Sequence, residues 1–250
     1  YTAFYTLSLH DALPIWLVRL ERNGEAMPLA EEQASAAALF GRDRVGLLSF
    51  EEMVALAQML TPEDRAALRR GIELNLAIAR HGFGLLPERL RARSVDSAAT
   101  RSGLLVCGGV YARMCGEDFT VMSLAGSGNK GITCAVPLHV WGDAVGAPPE
   151  RVEEALALAC LVTSATTYHL GTLSAVCGCS NAAGIGLAAG LVYLEQGTPE
   201  QISLAVTNMV GNIAGMICDG AKIGCALKTM TAVDSAFRAA FLALSDVGIP

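Results

Sequence analysis

Residues 155 to 194 contain no Asp, Glu, Lys or Arg. A run of that length without charge belongs either in a lipid bilayer or at the centre of a globular fold, and its polar residues decide between them. A spanning helix needs about 20 consecutive apolar residues. Here Thr163, Ser164, Thr166, Thr167, His169, Thr172, Ser174, Ser180 and Asn181 interrupt the run together with several glycines, so the apolar pieces last only two or three turns. Helices that are apolar all round and polar only at their ends form the buried middle of a water-soluble helical protein. The mean hydropathy of +0.43 reflects this interior, and no membrane insertion is expected.

The 250 residues, 52% hydrophobic and 17% charged, suffice for a large core. A net charge of -6 without clustered Lys or Arg excludes a nucleic-acid footprint. No signal with a basic start and a small-residue cleavage site is present, so a reducing cytoplasmic setting is expected. There, clustered cysteines bind metal more often than they form disulfides.

The first fifteen residues, "YTAFYTLSLHDALPI", fit nothing that follows and read as translated adapter sequence joined to a reading frame. The expected organisation is a non-native segment 1–15, an α+β segment 16–95, and a helical cluster-binding domain 96–250, with natural sequence continuing beyond both ends. Within the second segment, Asn23-Gly24 favours a two-residue hairpin turn. Ser49 with Glu52 forms a capping box for a helix to about Leu60, and Thr61-Pro62 opens another ending near His81-Gly82. A helix is expected over Asp96 to Met114. A strand-like run, "FTVMSL", then leads into the glycine-rich loop "GSGNKG". From Thr133 onward the pattern is helical, with breaks at 142–149, near Gly171, at 197–199 and at Asp219-Gly220. The fold class is therefore mainly α: a buried helical domain around a cluster site, preceded by a small α+β segment. Gly costs about 1 kcal/mol relative to Ala inside a helix, so the repeated small residues around Gly184 and Gly190 signal closely packed backbones.

Two stretches concentrate the chemistry. "LSAVCGCSNAAG" carries Cys177 and Cys179, and about forty residues later "MICDGAKIGC" carries Cys218 and Cys225. A C-x-C followed by C-x6-C fits neither the paired C-x2-C of structural zinc nor a ferredoxin run. Spacing alone leaves a metal or cluster site and buried structural thiols both open. Cys107, Cys115, Cys134 and Cys160 read as core thiols. In "GSGNKG", Gly126-x-Gly128-x-x-Gly131 matches a dinucleotide fingerprint formally. No second strand closing on an acidic residue follows, so an anion cradle of backbone N–H groups at a helix start fits better. Asp219 is expected to cap a helix beginning at Gly220, with Lys222 bonding a carbonyl or a cluster sulfide. His169 reads as a buried, hydrogen-bonded histidine, His81 as a helix-end residue and His139 as half-buried. Arg113 could pair with a carboxylate or sit in a structural ion pair.

Taken in order, "GSGNKG", "LSAVCGCSNAAG" and "GMICDGAKIGCALK" resemble the iron–sulfur L-serine dehydratase alpha-chain family, and within it the L-cysteine desulfidase branch. The resemblance implies a [4Fe–4S] cluster held by three cysteines: Cys218, Cys225 and, for the first, Cys177, with Cys179 as the alternative. It implies that Ser127, Gly128 and Asn129 bind the carboxylate of a small amino-acid substrate. The implied reaction is elimination of hydrogen sulfide from L-cysteine, or water from L-serine, to pyruvate and ammonia without pyridoxal phosphate. A homo-oligomer is compatible with it. The family carries Gln where Lys130 stands. Its cysteine in a "GCTEP"-like setting, proposed as the base at Cα, has no match here, so the general base is expected in sequence upstream of this chain. The competing expectation is a cluster-free structural or binding module with buried thiols.

Overall fold

The computed structural model describes residues 20–22, 25–27, 42–171 and 174–249. The segment 1–15 and Asn23-Gly24 lie outside them. Two short strands, β1 (Leu20–Arg22) and β2 (Glu25–Met27), pair antiparallel with Arg22 opposite Glu25. All remaining regular structure among the described residues is helical, as expected for a mainly α chain.

The helix starts follow local chemistry. A short α1 (Arg42–Val45) precedes α2 (Phe50–Gln58), which opens on the Ser49–Glu52 capping box. Next, α3 (Pro62–Leu85) opens on a second box formed by Thr61 and Asp64, with Pro62 in its first turn. A one-turn α4 (Glu88–Arg91) and a 3-10 turn (Ala92–Val95) lead to α5 (Ala98–Met114), where Ser97 accepts from the Thr100 N–H. Then come α6 (Gly128–Val145), ended by Gly146 at φ 68°, and α7 (Pro149–Leu170), ended by Gly171 at φ 86°. The last three are α8 (Asn181–Leu194), α9 (Pro199–Ile213), which opens on a Thr198–Gln201 capping box, and α10 (Cys225–Leu244).

Two expectations change. The third helix does not stop at His81-Gly82 but runs to Leu85, because Gly82 belongs to a packing face: a Cβ there would lie 1.9 Å from the Gly108 carbonyl oxygen of α5. The run "FTVMSL" forms no strand. Its Met122 N–H donates to the Asn75 side chain at 2.9 Å instead of to a ladder, and residues 117–123 stay irregular.

Every residue of α8 is buried. This helix packs against α6, α7, α9 and α10, and its glycines set the spacing to α7: a Cβ on Gly186 would stand 2.1 Å from Thr163 Oγ1 and 2.5 Å from the Ala159 carbonyl. The charge-free run is thus the central helix, most of its neighbour α7 and the segment that joins them. No helix among the described residues is long and apolar enough to cross a membrane.

Candidate functional site: a thiol-bearing bridge beside the start of α6

The cysteine stretches lie between helices, 174–180 ahead of α8 and 214–224 ahead of α10. They meet across one antiparallel bridge, Val176 opposite Ile217. The Cys177 N–H donates to the Met216 carbonyl at 2.8 Å, and the Cys218 N–H to the Ala175 carbonyl at 2.9 Å. Asn181 ties the bridge down further, its amide donating to the carbonyls of Cys177 at 3.2 Å and Met216 at 3.4 Å. Strand alternation sends Cys177 and Cys218 to the face opposite Val176 and Ile217. Diagonal neighbours of this kind stand about 7–8 Å apart along the backbone, a spacing from which two thiolates can reach different corners of one polynuclear cluster. Among the described residues no three His, Cys, Asp or Glu gather closely enough to hold a metal ion.

Cys225 starts α10, buried, with the Lys222 N–H 3.5 Å from its sulfur and the Gly220 carbonyl 3.7 Å away. Gly220, at φ 91°, turns the chain there. No helix begins at Gly220, so Asp219 caps none. Its carboxylate instead pairs with both Lys222 and Lys228, which hold it down to about pKa 2. Lys228 also donates to the Ile217 carbonyl at 2.9 Å. Residues 217–223 are exposed, Cys218 among them, although the domain around them is buried.

The two thiols of C-x-C face different neighbours. Cys177 is buried, and the adjoining Cys179 thiol, with Ser180 and the positive charge of Lys228, holds it down to about pKa 5. The Cys179 thiol is pushed up, first by that neighbour and then by burial, and its sulfur lies 3.4 Å from Ser127 Oγ. Because the Ser127 side chain points to Cys179, it makes no capping bond to α6. The start of α6, whose first N–H groups have no intrahelical acceptor, adjoins this Ser127–Cys179 contact. Gly128 allows the close approach: a Cβ there would lie 2.7 Å from Arg113 Nε. Asn129 is buried, accepting from Arg113 at 3.0 Å and donating to Met114 Sδ at 3.7 Å.

Lys130 is buried as well, its ammonium donating to the Ala125 carbonyl at 3.1 Å and to Thr167 Oγ1 at 3.0 Å. It holds Ala125, a non-glycine residue at φ 45°, in the turn that presents Ser127. No strand precedes the helix, and with it the dinucleotide reading lapses.

Elsewhere, Cys107 and Cys134 are core thiols; burial pushes both up, Cys134 to about 12. Cys160 is half-buried and Cys115 is exposed, because it caps the end of α5 rather than lying within it. His169 is exposed, 3.3 Å from the Gly46 carbonyl and far from a buried role. His81 lies within α3 against Glu117 and Phe119, while half-buried His139 faces Asp143. Lys228 was not singled out by the sequence. Its position one turn after Cys225 on the same helix was the available signal.

A family model described as serine dehydratase alpha chain matches residues 28–249. The chain belongs to the serine dehydratase alpha chain family. Relatives include UPF0597 proteins of Clostridium tetani, 37% identical over 238 residues covering 94% of this chain and 56% of that protein, and of Geobacter sulfurreducens, 37% identical over 242 residues covering 93% and 56%. A UPF0597 protein of Nitratidesulfovibrio vulgaris is 42% identical over 188 residues, 73% of this chain and 42% of its own length. The chain spans about half the length of the curated relatives it matches. No solved structure matches. The likeness reaches the serine dehydratase family and stops short of its cysteine desulfidase branch.

Proposed function

We propose that this chain is the cluster-binding part of a cytoplasmic lyase that eliminates hydrogen sulfide from L-cysteine, or water from L-serine, giving pyruvate and ammonia without pyridoxal phosphate. The observation that carries the reading is the Val176–Ile217 bridge, which brings Cys177 and Cys218 to one face within reach of the Lys228 charge, with Cys225 at the head of the same helix as Lys228.

Cys177, Cys218 and Cys225 are the residues that would hold a [4Fe–4S] cluster. When bound with only three thiolates, such a cluster supplies an open iron that acts as a Lewis acid toward the substrate carboxylate and its β-thiol or β-hydroxyl. The chain's own groups do the rest of the binding. The first-turn N–H groups of α6 and the Ser127 hydroxyl receive the carboxylate, where the helix start favours negative charge. Asn129 and Lys130, buried beneath, hold that turn in place from Arg113 and Thr167. Cys179 lies against Ser127 rather than at the bridge, and this places it on the substrate side of the proposed site. Removal of the Cα proton is assigned to a group outside the described residues.

Sulfide and pyruvate release from L-cysteine, and pyruvate from L-serine, measured on this chain and on the full-length Clostridium tetani relative after anaerobic reconstitution, tests the reading. Turnover by the relative, dependent on its reconstituted cluster, is the expected result. A relative that carries a cluster yet releases no pyruvate from either amino acid contradicts it. A second reading, a cluster-free module with packed thiols, draws on the absence of a three-ligand group among the described residues. It requires that neither protein take up iron.

A further inference from the structure

The bridge and the helix that follows are joined by a single side chain. Lys228 is anchored on α10, one turn after Cys225, and its ammonium reaches back to the loop. It donates to the carbonyl of Ile217 and to the carboxylate of Asp219, the residues on either side of Cys218. Ile217 is also the bridge partner of Val176, beside Cys177. One cation is therefore linked by hydrogen bonds to both flanks of Cys218, through the bridge to Cys177, and through a helical turn to Cys225. Its charge acts on Cys177 and Cys218. Lys222, the lysine within the loop, pairs with Asp219 from the outer side, is more exposed than Lys228, and has no bond to the bridge.

We propose that Lys228 is the positioning residue of the three-thiol site: its ammonium fixes the backbone on both sides of Cys218 relative to Cys177 and Cys225, and offsets the negative charge that the thiolates bring together. The second half rests on the cluster reading above; the first does not. The chemistry suits a lysine. A compact ammonium with three donors can serve a carbonyl and a carboxylate at once and still turn charge toward a third group. Apolar replacement removes all three interactions, leaving the Cys218 flank its backbone bridge bonds and the Asp219–Lys222 pair, while the Asn181 amide still holds the Cys177 and Met216 carbonyls.

The test compares the whole chain with Lys228→Met, Lys228→Arg and, as a control on the same carboxylate, Lys222→Met. The first readout, amide hydrogen exchange of Cys177 and Cys218 in iron-free protein, needs no cluster. Lys228→Met is expected to speed both amides at least tenfold while amides inside α8 keep their rates. Lys228→Arg should recover most of the protection, and Lys222→Met should change it little. Protection in Lys228→Met equal to that of the unaltered chain overturns the proposal, as does equal loss in Lys222→Met. The second readout is the reduction potential of the reconstituted cluster, which should fall in Lys228→Met and stay unchanged in Lys228→Arg. An unmoved potential in Lys228→Met overturns the charge role. If the unaltered chain takes up no iron while the exchange contrast persists, the cluster reading fails and the positioning role stands.

Discussion

Cys177 and Cys218 are diagonal neighbours across one antiparallel bridge, each donating its own N–H to the opposite segment. Cys179, two residues from Cys177, instead meets Ser127 at 3.4 Å. The structure thus separates two thiols that the C-x-C spacing leaves equivalent. Cys177→Ala should abolish iron uptake, whereas Cys179→Ala should keep it. Iron content per chain after anaerobic reconstitution decides this, and the reverse pattern would move the first ligand to Cys179.

The close crossing of α3 and α5 gives a stability prediction with an internal control. A methyl at Gly82 would meet the Gly108 carbonyl at 1.9 Å, backbone that cannot step aside. Gly82→Ala should cost about 3 kcal/mol, the upper end of overpacking penalties. At Gly84, two residues on, a Cβ meets nothing within 4 Å, so Gly84→Ala should stabilise by about 0.5–1 kcal/mol through helix propensity. Urea unfolding of the two variants measures both signs.

Glu153 is 1% exposed and accepts from Arg65 at 3.1 Å and Arg69 at 2.7 Å, linking α3 to α7. Glu153→Gln keeps the shape and removes the charge, so it should cost about 1.5–3 kcal/mol, the range for hydrogen bonds to charged groups. Glu73→Gln, at an exposed pair 3.9 Å from Arg70, should be silent in the same denaturation experiment.

Asp234, half-buried on α10, has its pKa raised by desolvation, with Arg238 opposing. A carboxyl raised in the folded state binds its proton more tightly there than in the unfolded chain. Its contribution is most favourable below the unfolded value near 3.8 and is lost as pH rises through the folded value. Asp234→Asn should therefore raise Tm at neutral pH, and the gain should vanish below about pH 4. Thermal melts of both proteins from acid to neutral pH check this.

Helix starts were legible because the signals are local. Ser49 with Glu52, and Thr61 with Pro62, sit within four residues of each other, and the structure opens helices on both, adding an Asp64 bond to Thr61 that the sequence reading did not name. The interior was legible too, since a charge-free run with small residues has few places to go but the centre. What failed was non-local. His81-Gly82 looks like a stop until Gly108 is placed against it, and "FTVMSL" looks like a strand until Asn75 takes the Met122 N–H. The candidate site divides the same way. Its thiols and glycine loop could be named from sequence, but the Val176–Ile217 pairing spans forty-one positions, and so the reach of Lys228 back to Ile217 and the unlike surroundings of Cys177 and Cys179 could not be read in advance.

The central claim is that Cys177, Cys218 and Cys225 form one cluster site. Iron and acid-labile sulfide per chain, with the visible spectrum, after anaerobic reconstitution of the chain and its Cys218→Ala and Cys225→Ala variants, test it most directly. The account predicts about four of each and a brown colour in the unaltered chain, both lost in either variant. A colourless chain, or iron retained in either variant, would contradict it.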